Sequence, residues 1–255
     1  MRVDTFALIL TRFCAMDIIL RTSYGYCIEP KTRGQSQIQQ ATQNNDVVFV
    51  QGPAGTGKTF VSLALAVGML RREDVGEVML TRPAVQAGED LGFLPGELHE
   101  KLDPYMRPLY NALHKMLEPQ EVHNLRETGK ITYQPLGFLR GQTINECVLL
   151  DEAQNATRSQ LEMFLTRLGP SATAFVTGDP EQTDLPQESA SALYDAEGLL
   201  SGINNITFVN LTEDDIVRHQ IVKDVITAYR SSGQTETEYK QPGHGLNRDT
   251  ASYKS

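Results

Sequence analysis

Apolar residues along the chain follow two rhythms that alternate from about residue 47 onward. Short, nearly unbroken apolar runs at Val47–Val50, Val78–Thr81, Ile131–Gln134, Cys147–Leu150, Thr173–Thr177 and Ile206–Val209 read as strands. A strand with one wet face would alternate apolar and polar residues, so runs of this kind predict strands buried on both faces. Between them the spacing turns helical: Leu161, Phe164, Leu165 and Leu168 share one face, as do Val217, Ile221, Val222, Val225 and Ile226. The alternation predicts an α/β fold, a mostly parallel sheet flanked by helices on both faces. Residues 1 to 45 are apolar and then Gln-rich, with a helix predicted near Gln35 to Thr42. Residues 96 to 117 are also helical by spacing, and Pro104 and Pro108 are expected to break or restart that helix. The stretch after Ser231 has almost no apolar content and is expected to be a flexible tail.

Composition narrows the class. With 255 residues, 40% apolar and 22% charged, the chain can bury a full core without disulfide or metal. Cys14, Cys27 and Cys147 form no CxxC pair, which suits a reducing compartment, and the expected location is the cytoplasm. The start of the chain resembles a signal sequence faintly, but Asp4, Arg12 and Asp17 interrupt it; an extension or packing arm is expected there, and no membrane span. A net charge of −9 argues against nucleic-acid binding through bulk electrostatics and leaves room for a local basic groove.

The run "VVFVQGPAGTGKTFVSLALAV", Val47 to Val67, carries the chemistry. Gly52 to Thr59 fits GxxxxGKT directly after a predicted strand and before a predicted helix, where the motif has meaning. A loop that wraps a phosphate with its own N–H groups needs residues that tolerate positive φ and lack a Cβ, as Gly52, Gly55 and Gly57 do. In that arrangement Pro53, Ala54, Thr56 and Phe60 complete the cradle. Lys58 reaches the β- and γ-phosphates, Thr59 ligates Mg²⁺, and the helix N-terminus favours an anion. Such a loop needs an acidic residue at the end of a neighbouring strand. "CVLLDEAQ" supplies Asp151 for the metal, and Glu152 to polarise water. A third strand ends in "VTGDPEQTDLP", from which Gln182 could sense the γ-phosphate, although turn chemistry alone explains Gly178, Asp179 and Pro180.

No NKxD-type base-reading motif is present, and Asp195 of "DAEG" follows no strand, which argues against a GTPase. A small-molecule kinase is harder to set aside, but an Asp-Glu pair at a strand end suits water activation better than transfer to an alcohol.

The successive segments "GPAGTGKT", "TRPAVQAGEDLGFLPGELHEKLDPYMRPLYNAL", "LRGQT", "DEAQNAT", "FLTRLG", "TGDPEQTDLP" and "DIVRHQIVKDVITAY" resemble, in order, the signatures of the PhoH family of ATPases. The resemblance runs from about Ile28 to Arg230. It implies a domain over 28–231 between an extension (1–27) with no functional counterpart and a tail (232–255). It further implies a P-loop NTPase fold similar to the first RecA-like core of superfamily-one helicases, with ATP and Mg²⁺ as cofactors. ATP hydrolysis, RNA- or DNA-linked functions and phosphate-starvation regulons go with the family. By the same resemblance Gln35 reads adenine, Arg218 approaches the γ-phosphate, and Gln182 is its sensor. Arg82 and Arg140 fall in segments that contact nucleic acid or a neighbouring subunit, with structural ion pairs as the equal alternative. Gln142 stands where a basic residue is expected, Thr183 replaces an aliphatic, and "SASAL" lacks a glycine. The first departure weakens a nucleic-acid role for that loop; the other two are expected to be packing changes.

The expected catalyst is therefore a Mg²⁺-dependent ATPase in which Lys58, Glu152, Gln182 and Arg218 act on the phosphates and water. Too little chain follows Gln182 for a second core, so a homo-oligomeric ring, a hexamer by analogy with RecA-like assemblies, is expected to complete the site. RNA or single-stranded DNA is the expected partner. The alternative is a nucleotide-gated interaction protein in which hydrolysis is incidental.

Overall fold

A computed structural model describes residues 18–83, 98–185 and 191–217. It begins with a two-stranded antiparallel hairpin, β1 (Leu20–Arg21) and β2 (Cys27–Ile28), followed by helix α1 (Arg33–Thr42). The sheet strands are β3 (Val47–Gln51), β4 (Val78–Thr81), β5 (Ile131–Tyr133), β6 (Cys147–Leu150), β7 (Thr173–Gly178) and β8 (Ile206–Asn210). The helices among them are α2 (Lys58–Arg71), α3 (Leu98–His114), α4 (Pro119–Glu127), α5 (Arg158–Leu165) and α6 (Ala192–Leu200). All pairings in the six-stranded sheet are parallel, in the order β5-β4-β6-β7-β3-β8.

The pleat explains the unbroken apolar runs. Val48, Val50, Val78, Leu80, Leu149 and Phe175 point to a core shared with α1, α2, α3 and α4. Their chain neighbours Val47, Phe49, Val148, Leu150, Ala174 and Val176 point to a second core shared with α5 and α6. Each fully buried Val, Leu or Phe contributes roughly 1.5–3 kcal/mol, so neither face of these strands can be polar without loss. Phe49 stacks on Phe208 across the β3–β8 pair at 4.4 Å between ring centres.

Two expectations change here. Helix α3 runs unbroken through Pro104 and Pro108. A proline inside a helix costs about 3 kcal/mol through a lost hydrogen bond and a steric clash. Burial of Met106, Leu109 and Leu113 in the core offsets it, and Pro108 itself is on the exposed side. The acidic strand β6 is not the neighbour of β3, because β7 lies between them. Periodicity identifies strands but carries no information about their order. Of the segment 1–27, the described part from Ile18 onward is a packed arm: Ile19 and Leu20 are buried in the first core, and Ser23 N–H bonds to Met116 O at 3.0 Å. The expected tail, 232–255, lies outside the described residues, as does the helical stretch predicted after Val217.

Candidate nucleotide site

The C-terminal ends of β3, β7, β6 and β4 lie side by side, and each delivers a polar residue to one place. From β3 the chain turns through Gly52, Gly55 and Gly57, at φ +139°, +89° and +86°, backbone conformations that a side chain would strain. Gly57 is the N-cap of α2 and offers no side chain, so the first-turn N–H groups of the helix face outward, as an anion requires. Thr56 is fully buried and donates its hydroxyl to Pro53 O at 2.9 Å, closing the loop on itself. Lys58 folds back so that its ammonium donates to Gly52 O and, at 2.9 Å, to Pro53 O. Ala54 is exposed at the tip, and Phe60 packs against the first core.

Asp151 directly follows β6, with only 1% of its surface exposed. Its Oδ1 accepts the hydroxyl of Thr59 at 2.7 Å and that of Thr177, from the intervening β7, at 2.6 Å. Its Oδ2 accepts Arg82 Nε at 2.9 Å and also Nη2. Arg82 is itself 13% exposed at its side chain, so the guanidinium and the carboxylate are desolvated together. Of the two alternatives for Arg82, the structure realises the ion pair. Removing either partner of such a pair leaves a buried charge, which is strongly destabilising.

Glu152 follows in the left-handed region, φ +56° and ψ +40°, although it is not glycine. That conformation costs about 1–2 kcal/mol for an L-residue, and strain of this kind concentrates at functional sites. The turn exposes the Glu152 carboxylate, whose Oε2 accepts Gln154 Nε2 at 2.6 Å. Gln154 is buried and uses its Oε1 to accept the N–H of Asp179 at 3.1 Å. One amide thus ties Glu152 to the turn after β7. Gln182 sits in that turn, exposed, with its N–H on Asp179 O at 3.0 Å, and Gly52 N–H reaches Gly178 O at 3.2 Å. Thr183 is no packing change: its hydroxyl donates to Gln154 O and accepts Leu185 N–H.

Gln35, 4% exposed, is bonded to the loop rather than left open. Its Nε2 donates to Thr56 O at 2.9 Å and its Oε1 accepts Lys31 N–H at 2.8 Å, leaving one N–H and one lone pair. Beside it opens a cleft of about 520 Å³ walled by Tyr26, Ile28, Gln35, Gly55, Phe60 and Val217. Val217 N–H bonds to Gly55 O at 3.0 Å; Arg218, the next residue, lies outside the described residues. Arg140 is exposed after a 3-10 turn, Leu136–Leu139, and Gln142 Nε2 bonds back to Phe138 O at 3.0 Å. Burial, with a further push from Glu146, raises the Cys147 thiol to about 12, so this cysteine is inert packing.

Sequence reasoning missed Gln154, Thr177 and Tyr26. Gln154 carried the one usable signal, lying inside the same "DEAQ" run as Asp151 and Glu152.

A family model described as PhoH-like protein matches residues 27–230. The chain belongs to the PhoH-like family. A PhoH-like protein from Mycobacterium tuberculosis is 47% identical over 234 residues, covering 91% of this chain and 64% of the relative. One from Bacillus subtilis is 47% identical over 212 residues, covering 83% and 66%. This PhoH-like chain therefore spans somewhat less than two thirds of those relatives. Among solved structures, the large terminase of a thermophilic bacteriophage aligns with a TM-score of 0.50 at 12% identity, over 78% of this chain and 50% of that one. The shared fold is that of P-loop NTPases, with the mostly parallel sheet found here. No helix among the described residues is long and apolar enough to cross a membrane.

Proposed function

We propose that the chain is a Mg²⁺-dependent ATPase whose turnover is coupled to RNA or single-stranded DNA, acting in the cytoplasm as a homo-oligomeric ring, a hexamer by analogy. One observation carries the hydrolytic part: Lys58, Thr59, Asp151 and Glu152 meet at the ends of the P-loop strand and β6, with Thr59 and Asp151 in direct contact. The residues fit a nucleotide and its metal. Glycines leave the loop open to phosphate, and a hydroxyl with a carboxylate is the hard-oxygen pair that suits Mg²⁺ alongside phosphate oxygens. Mg²⁺, held by Thr59 and Asp151, would neutralise charge on the phosphates. Lys58 would turn its ammonium from Gly52 O and Pro53 O to the β- and γ-phosphates. Glu152, exposed and steered by Gln154, would orient water and accept its proton. Gln182 and Arg218 would respond to the γ-phosphate.

Adenine preference rests on Gln35. Its remaining N–H and lone pair match the N6 and N7 edge of adenine, and the adjoining cleft is large enough for a base. Gln35→Ala is expected to weaken ATP by about tenfold and to narrow its advantage over GTP. Competition of labelled ATP by each nucleotide checks this, and equal competition in the parent contradicts the adenine reading.

Support for a nucleic-acid partner is local. Phe138 is 56% exposed, held on a turn whose Leu136 and Leu139 are buried, with Arg140 two residues on. An exposed aromatic held on a turn with a buried base suits stacking of an unpaired nucleobase. Leu136 N–H bonds to the carbonyl of Arg82, the residue whose guanidinium holds Asp151, so the turn and the metal-holding carboxylate share one connection. Steady-state phosphate release with and without single-stranded RNA and DNA tests the coupling. Stimulation is expected, and Phe138→Ala should abolish it without changing the basal rate. Turnover indifferent to both strands would favour a nucleotide-gated interaction protein instead.

A further inference from the structure

The segment that follows β8 lies along the phosphate loop. Leu211 N–H bonds to Gln51 O at 2.8 Å, its carbonyl abuts Gly52, and Val217 N–H closes on Gly55 O at 3.0 Å. Between those two points sits Asp215, buried, and its carboxylate faces away from the loop towards the start of α1. Its Oδ1 accepts Gly34 N–H at 3.1 Å, and its Oδ2 accepts Thr212 N–H at 3.0 Å. The Thr32 and Thr212 hydroxyls lie beside the same carboxylate and favour its charged form. Thr32 is the N-cap of α1, and the same hydroxyl accepts Gln35 N–H at 3.2 Å. Space is tight as well: a Cβ on Gly34 would stand 2.4 Å from Leu211 Cδ2 and 2.6 Å from Asp215 Oδ1.

These bonds form a closed circuit: Gly34 to Asp215, along the chain to Val217, Val217 to Gly55, and Thr56 to Gln35, the neighbour of Gly34. We infer that Asp215, which touches no nucleotide-facing surface, is a positioning residue that fixes Gln35 against the phosphate loop and so sets affinity and base selectivity. This rests on the nucleotide reading of the site. Each of its two oxygens accepts a backbone N–H, which a side-chain amide, with a single oxygen, cannot match. Burial alone would raise its pKa, but the hydrogen bonds from Thr32, Thr212 and Gly34 outweigh it and hold the group below the ordinary carboxylate value. Asparagine keeps the shape and turns one acceptor into a donor that meets another donor.

Asp215→Asn and Thr32→Val, each nearly isosteric, should be titrated with Mg²⁺-ATP and Mg²⁺-GTP by calorimetry, with circular dichroism confirming the fold. ATP affinity is expected to fall about tenfold in each, and the ratio of ATP to GTP affinity to shrink toward one. A merely structural residue would lower thermal stability and leave that ratio at the parent's value. Should Asp215→Asn fail to fold, Gly34→Ala, whose methyl would press on the Asp215 carboxylate from the side of α1, is read by the same measurements. Folded variants that keep the parent's affinities and ratio overturn the inference while leaving the nucleotide site standing. A parent that binds neither nucleotide, or both equally, overturns it together with the adenine reading.

Discussion

Glu152→Gln is expected to bind ATP like the parent and to turn it over about 10²–10⁴-fold more slowly, the usual weight of a general base. The structural ground is a division of labour. Glu152 stands outside the phosphate loop, in a strained turn that exposes its carboxylate, and its bond to Gln154 needs only an acceptor oxygen, which glutamine retains. The substitution thus removes basicity while keeping the geometry. Lys58→Ala should behave oppositely. It deletes the one loop ammonium, whose charge-assisted bonds to phosphate would otherwise be made in ground and transition states alike, and at least about a hundredfold in affinity should go with it. Calorimetry separates the two. If both variants bind and hydrolyse like the parent, these residues do not form the site.

The second large effect concerns assembly. The described residues hold one P-loop core, and sites of this class gain about 10³–10⁵ in rate when an arginine from another surface reaches the γ-phosphate. Arg82 is engaged with Asp151 in its own chain, which leaves Arg140, exposed at the end of its turn, as the better candidate to act across an interface. Specific activity is therefore expected to fall on dilution as subunits part. Subunits carrying Glu152→Gln, with an intact surface, should restore activity when mixed with Arg140→Ala subunits, whose own Glu152 is intact. A protein that sediments as a monomer with undiminished specific activity contradicts the proposal.

Strand positions were legible because burial on both faces forces apolar runs, and the structure extends Val47–Val50, Thr173–Thr177 and Ile206–Val209 by a residue each. The phosphate loop and Asp151-Glu152 were legible because their spacing is local. What escaped depends on contacts between distant residues. The insertion of β7 between β3 and β6, and with it the Thr177 bond to Asp151, is a matter of sheet order. The Gln35 bond to Thr56 spans loops that no periodicity relates. Pro104 and Pro108 misled for a similar reason, since local propensity yields where buried neighbours hold the helix. Tyr26 was missed because the hairpin carrying it is too short to show a pattern, yet it packs beside the cleft.

The central claim is that this chain hydrolyses ATP at a site built from the loop Gly52 to Thr59 together with Asp151 and Glu152. Phosphate release by the purified chain, followed with Mg²⁺ and then with excess chelator, tests it most directly. Sustained release that stops when the metal is withdrawn, and that Glu152→Gln suppresses, is the predicted result. No release above background with Mg²⁺ present, across a wide range of protein concentration, would contradict it.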